Sequence, residues 1–350
     1  MQFDPHTFTD EVLVGEGFFE FFKNIGKLKI QLPEESEPMP LETVFDRPLE
    51  GNYVCASDET SPVYNLDPQN GCKISCEGKY LVSAYDESIN KYSTLEGKAV
   101  YVSHSLVYLF NERYYPINQL STFFVTKSKD ISDQLTNCIL ADRWDVDTTA
   151  NVNIAKQKKE FLNKFACDNC LLLIDGPYIA GDGFAVFKGI VKERFLEHGI
   201  VPIFIVKNSS SSLIVDNNLQ LKGKYNSDLH WANKLLRAGQ RTKFFMYTDK
   251  NNRDNSKVFC YFKYNTGASP IRIEIPTQIY EHYKPSLSTY LDMIYYYILE
   301  QGDYRNPQPR PVAVAEMFAR ETLHLVKFTE DLKNSSLTPT MNEERGMEYE

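Results

Sequence analysis

The chain has 350 residues, 42% hydrophobic and 13% aromatic, enough for a substantial core in one large or two ordinary domains. Its formal net charge of -9 and pI near 5.3 exclude nucleic-acid binding driven by the surface as a whole, though not a local basic channel. No window approaches the ~18 consecutive apolar residues of a membrane span, the opening Met1-Gln-Phe-Asp-Pro-His6 carries no secretory pattern, and seven cysteines point to reduced thiols in a cytoplasm.

In chain order, residues 16–22 are aromatic and amphipathic, and 33–38 are acidic and proline-bearing. Residues 1–50 therefore read as a docking segment and linker, with a helix packed on its own domain as the equal alternative. Residues 80–85 and 99–108 are rich in β-branched and aromatic side chains and predict two strands, joined by a turn-rich connection over 87–97. Residues 123–125 are a candidate third strand. Apolar Ile154, Phe161, Leu162 and Phe165 recur at helical spacing over 153–165. Strand 171–175, helix 184–198 and strand 200–206 follow. Cys167-Asp-Asn-Cys170 has no second cysteine pair or histidine pair beside it and reads as two structural thiols rather than a zinc site. Residues 209–212 form a serine loop, and 331–350 read as a polar, frayed tail.

The acids fall at telling places. The apolar run from Leu171 ends at Asp175, and Gly176-Pro177 then turns the chain. Hairpin strands followed by βαβαβ is the order of an RNase H-like mixed sheet flanked by helices, an α/β fold. In that order the first and fourth strands are neighbours. Asp86, ending the first, can then meet Asp175, with Glu160 reaching them from the preceding helix. Three hard oxygen ligands suit Mg²⁺ or Mn²⁺, ions that activate water in phosphodiester cleavage. The plainer reading makes Asp175 a helix cap and Glu160 a solvated side chain.

Ile174-Asp-Gly-Pro177, the strand through Lys207 with Asn208-Ser209 after it, the pair Tyr261-Phe-Lys-Tyr264 and Pro270-Ile-Arg-Ile-Glu-Ile-Pro276, and Pro309-Arg-Pro-Val-Ala-Val-Ala315 occur in one order. Together they resemble the NurA nuclease family. The resemblance covers about residues 86–322 and implies an Mn²⁺-dependent (or Mg²⁺-dependent) DNA nuclease of RNase H-like fold. It implies a homodimer working with a HerA-like hexameric ATPase, in DNA end processing or anti-phage defence. Carried over by position, the family's metal-binding acids fall on Asp86, Glu160 and Asp175, with Asp58 a rival for the first. Two departures stand out: Gln308 and Glu316 occupy the places of the family's active-site tyrosine and histidine. Glu316 can still ligate metal, and Tyr304 and His324 are other substitutes, His324 also reading as an ordinary surface histidine.

Further residues have two readings each. Lys207 ends a strand near the acids and is either a phosphate contact or a solvated lysine. Arg272 and Glu274 face one side of a strand and line a DNA channel or form an ion pair. Trp231, Arg237 and Arg241 either track a DNA strand or belong to a packed helix. Tyr295-Tyr-Tyr297 reads as core or interface. The leading expectation is a metal-dependent deoxyribonuclease. The alternative is a catalytically weak NurA-like subunit that binds the translocase and guides DNA.

Overall fold

A computed structural model describes residues 11–27, 52–179, 189–218, 221–249, 256–303 and 306–343. Strand β1 (Glu11–Val14) leads into helix α1 (Phe18–Ile25). β1 pairs in parallel with a later strand, and Phe18, Phe21 and Ile25 are buried in a cluster with Tyr101, Leu120 and Phe328. The described part of residues 1–50 is thus built into the sheet rather than hung from it as a docking segment. The acidic stretch 33–38 lies outside the described residues.

After β2 (Asn52–Ala56), β3 (Val63–Asn65) and α2 (Pro68–Cys76) come three long strands: β4 (Leu81–Thr94), β5 (Gly97–Phe110) and β6 (Arg113–Thr126). The connection expected over 87–97 shrinks to Leu95-Glu96. β4 continues because its alternation persists through polar residues, with Tyr92 and Thr94 buried and their neighbours less so. Likewise 123–125 is only the end of β6. The β5–β6 turn is two residues long, Asn111 and Glu112, both with positive φ (49° and 61°), the handedness that suits strand twist.

α3 (Lys129–Ser132) and β7 (Cys138–Leu140) precede α4 (Val146–Phe165), which starts earlier than periodicity alone indicates. Asp145 fixes that start by accepting the Thr148 N–H at 2.7 Å. β8 (Cys170–Asp175) is apolar and buried until its last residue, as a central parallel strand requires. Of the expected helix 184–198, the described part shows a π-helical stretch, Val191–Leu196, and then β9 (Val201–Val206). α5 (Leu213–Asn217), α6 (Asp228–Leu235), β10 (Gln240–Thr242), β11 (Phe245–Asp249), β12 (Lys257–Lys263) and β13 (Ile271–Pro276) follow. The chain closes with α7 (Thr277–Tyr283), α8 (Leu287–Gln301), α9 (Arg310–Leu323) and α10 (Phe328–Lys333). The tail does not simply fray after 331: Leu337 is buried and Pro339 bridges Thr94.

Among the described residues thirteen strands form one mixed sheet, ordered β1-β6-β5-β4-β8-β9-β13-β12-β10-β3. β7 adds to β6, and β11 joins β12 to β2. Its centre, β6-β5-β4-β8-β9, has β5 antiparallel to both neighbours and β4, β8 and β9 parallel, the RNase H-like order. α4 covers β5 and β6, and α9 packs along β4 and β5. Leu171–Ile174 are essentially sealed from solvent, worth about 2 kcal/mol per side chain. The thiols of Cys167 and Cys170 are buried and free. Tyr295 and Tyr297 are core residues. No helix among the described residues is long and apolar enough to cross a membrane.

Candidate active site

Parallel pairing sets Tyr85 of β4 beside Ile174 of β8. The next step along both strands brings Asp86 and Asp175 side by side, on the face opposite Tyr85. Asp86 is 6% exposed, and its Oδ1 accepts the Glu87 N–H at 2.8 Å. Asp175 meets Lys207 Nζ through Oδ2 at 3.0 Å, whereas its Oδ1 is buried with no hydrogen-bond partner. Burial, then the Asp175 and Glu87 carboxylates, push Asp86 up to about 8. Asp175 is also raised by burial, against the pull of Lys207. Gly176, at φ 92°, makes the turn that ends β8 at the acid.

Lys207 follows β9 and links this pair to α9. Its ammonium donates to Gln308 Oε1 at 2.7 Å and lies 3.9 Å from Glu316 Oε2. Gln308, 2% exposed, donates to the same Glu316 oxygen at 2.6 Å, and Arg320 pairs with the other. The line Asp175–Lys207–Gln308–Glu316–Arg320 therefore ties β8, β9 and α9 into one network. Glu316 stands at its edge, already held by a cation and an amide.

On the other face of the same strands, Lys158 of α4 reaches Glu87 Oε2 at 3.0 Å and the Asp175 carbonyl oxygen at 3.2 Å. Its ammonium also lies 4.8 Å from the centre of the Tyr85 ring. Burial drives Glu87 up, but Lys158 and then His104 bring it net below the ordinary carboxylate range. His104 is fully buried, shares a 2.7 Å hydrogen bond with Tyr85 through Nδ1, and is pushed down to about 4 by burial. Sequence reasoning missed Lys158. The signal was present: a lysine inside the apolar stripe Ile154, Phe161, Leu162.

Other expected site residues fall elsewhere. Glu160 is exposed, two positions from Lys158 and so about 200° around α4, away from the aspartates. Asp58 is exposed beside Lys284, with which it pairs at 2.7 Å, next to β2 and across the sheet from β4. Arg241 is buried, paired with Glu59 at 2.6 Å and stacked 4.4 Å from the Tyr64 ring centre. Arg272 is buried against Glu274 at 2.7 Å. Both arginines are thus buried in ion pairs. Trp231 packs edge-on against Phe245 and Tyr261. His324 is exposed past the end of α9, and Tyr304 lies outside the described residues.

Among the described residues no group of three or more His, Cys, Asp or Glu side chains is placed to share a metal ion. The three-acid arrangement expected from the sequence is therefore not assembled, because α4 presents a lysine where the glutamate was expected. Two buried carboxylates with an unpartnered oxygen nevertheless fit one hard divalent cation. They would also be relieved of the mutual repulsion that raises Asp86.

The NurA nuclease from Sulfolobus solfataricus is similar at 12% identity and a TM-score of 0.45, over 73% of this chain and 86% of that one. Endonuclease V from Bacillus subtilis gives 10% and 0.38, over 75% and 84%. A NurA bound to dAMP and manganese gives 7% and 0.37, over 68% and 83%. No curated protein matches. The family model of the NurA domain matches residues 77–310, which include Asp86, Asp175, Lys207 and Gln308 and stop short of Glu316. Spanning more than half of the sequence, that match shows that the chain belongs to the NurA domain family.

Proposed function

We propose that this chain is a divalent-metal-dependent deoxyribonuclease that hydrolyses phosphodiester bonds at the Asp86–Asp175 pair. The observation that carries the reading is the buried, unpartnered Oδ1 of Asp175 beside a second buried carboxylate. Asp86 and Asp175 would hold Mn²⁺ or Mg²⁺, which supplies water activation and charge stabilisation of the leaving oxygen when bound. Lys207 sits between Asp175 and Glu316, partly open to solvent, and is the cation best placed to meet a DNA phosphate. Gln308 fixes the ammonium from the α9 side, so Lys207 approaches the phosphate from one direction. Glu316 orients Gln308 and Arg320 rather than completing the ligand set. On the family resemblance, the working form is a cytoplasmic homodimer with a HerA-like hexameric ATPase, in end processing or defence.

The test is cleavage of linear DNA with Mn²⁺ by wild type and Asp175→Asn. We expect loss on the order of a hundredfold or more in a variant that remains folded. A folded Asp175→Asn protein that cuts at the wild-type rate overturns the proposal.

A second reading is favoured by the two lysines, one on each face of the aspartate strands. In it the chain is a catalytically weak subunit that binds the translocase and guides DNA. Metal-independent binding to the ATPase, with no cleavage in its presence or absence, would select this reading.

A further inference from the structure

On the face of the sheet that α9 covers, a polar belt divides two apolar clusters. Ala84, Val107 and Ala315 belong to one cluster, and Tyr92, Leu120 and Leu323 to the other. Ala319, one helical turn from both α9 residues and fully buried, joins neither. Between the clusters, strand pairing sets Asp86 of β4 opposite Ser105 of β5, and Ser105 opposite Asn118 of β6, so the three share one face. Ser103, two residues along β5, lies on that face as well. Side chains paired in this way stand about 5 Å apart at Cβ. Ser103 and Ser105 are 0% exposed and Asn118 5%, yet Ser103 Oγ, Ser105 Oγ and Asn118 Oδ1 have no hydrogen-bond partner among the described residues. Asp175 Oδ1, beyond Asp86 on β8, is a fourth such atom. On the opposite face of the same strands polar groups are matched: Ser121 donates to Gln157 at 2.7 Å, and His104 shares a 2.7 Å hydrogen bond with Tyr85. Buried polar atoms in folded proteins are nearly always hydrogen-bonded. Several at neighbouring positions, roofed by an alanine, supply the two to four polar partners that hold an internal water.

We infer that Ser103, Ser105 and Asn118 bind ordered water between α9 and the sheet, and that this water reaches Asp86 from the Ser105 side and supplies the hydrolysis. The binding site stands on strand register and burial, and its use rests on the proposed nuclease reading. Ser105 and Asn118 face each other across β5 and β6, and Asp86 faces Ser105 across β4 and β5, so one bridging water has three polar side chains within its reach. A DNA strand docked over the aspartates from solvent would shut out bulk water, whereas water held on the protein side stays available to attack. Ser105 and Asn118 are positioning residues: they act through the water they hold, not by touching DNA.

The experiment compares the full-length wild type with Ser105→Ala/Asn118→Leu, which keeps the shape of the belt and removes its facing polar groups. Magnetic relaxation dispersion of solvent water, without metal, counts internal waters that outlast molecular tumbling. The variant should hold fewer. An equal count in a folded variant overturns the inference and leaves the nuclease reading untouched. The second arm is Mn²⁺-dependent cleavage of linear DNA, in which turnover of the variant should fall about tenfold with KM for DNA and Mn²⁺ affinity unchanged. A variant that has lost the water yet turns over at the wild-type rate overturns the hydrolytic role. A loss confined to KM or to Mn²⁺ affinity does so too, because a displaced Asp86 acts there. A wild type that cleaves nothing overturns the nuclease reading and the hydrolytic role together, and the water count still decides the binding site. Should the double variant not fold, Ser105→Ala replaces it under the same criteria, since it removes a single buried oxygen.

Discussion

Two buried ionic clusters lie in the same sheet and differ in one respect. Around Glu274, which is 0% exposed, Lys257 Nζ stands at 2.6 Å and Arg272 Nε at 2.7 Å from one oxygen, and the Tyr178 N–H donates to the other at 2.9 Å. Arg272 is itself steadied by Ser209 at 2.6 Å. Burial pushes Glu274 up, but Lys257 and Arg272 hold it net below the ordinary range. Around Asp86 and Asp175 burial is similar, yet two acids adjoin, one oxygen has no partner, and the pair is raised. Burial alone therefore does not mark a site. A cluster whose cations match or outnumber its acids is framework, and one left short of positive charge is set up to receive it.

The contrast breaks most sharply at Glu274. Glu274→Gln leaves buried Lys257 and Arg272 without the carboxylate they share, and should cost about 3–5 kcal/mol in denaturant unfolding. A loss under about 1 kcal/mol would show that the cluster is not closed in the way its distances indicate.

Asp86→Asn should act with the opposite sign. In metal-free protein Asp86 holds its proton up to about 8, whereas in the unfolded chain it releases it near the ordinary value of 3.8. The folded state thus binds more protons between those two pH values, and stability falls as pH rises through that window. The slope approaches about 1.4 kcal/mol per pH unit. Asp86→Asn should flatten this slope, match or exceed wild-type stability at pH 8, and lose Mn²⁺-dependent cleavage. Melting curves in chelator between pH 5 and 8 measure it. An unchanged slope in the variant would move the titrating group elsewhere.

How much of this was legible in the sequence depends on which physical signal each residue carried. The sheet order followed from hydrophobic runs and their sequence, and Asp175 followed from an apolar strand that stops at an acid. β4 beyond Asp86 did not, because its outer half carries polar Ser88, Asn90 and Ser93 and resembles a loop in composition. The buried role of Arg241 was hidden because its partner, Glu59, lies 182 residues away in sequence, whereas the Arg272–Glu274 pair was one of the readings their same-strand spacing offered. Lys158 was the recoverable loss. A charged residue in phase with an apolar stripe demands a buried partner, whereas Glu160, out of phase with that stripe, demands none.

That last distinction gives the smallest predicted effect. Glu160 and Lys158 share a helix and stand two residues apart, but only Lys158 turns toward the strands that carry Asp86 and Asp175. Glu160 is exposed, so Glu160→Ala removes a solvated carboxylate from a helix surface. Stability should stay within about 0.5 kcal/mol of wild type, with Mn²⁺ affinity and cleavage unchanged. Family position and helix phase disagree about this residue, and phase is the physical constraint, since a carboxylate on the solvent side of α4 cannot pass through the helix to reach the sheet. If a well-folded Glu160→Ala protein lost Mn²⁺ binding, α4 would have to rotate by about half a turn in the metal-bound state, and Lys158 would leave Glu87 with it.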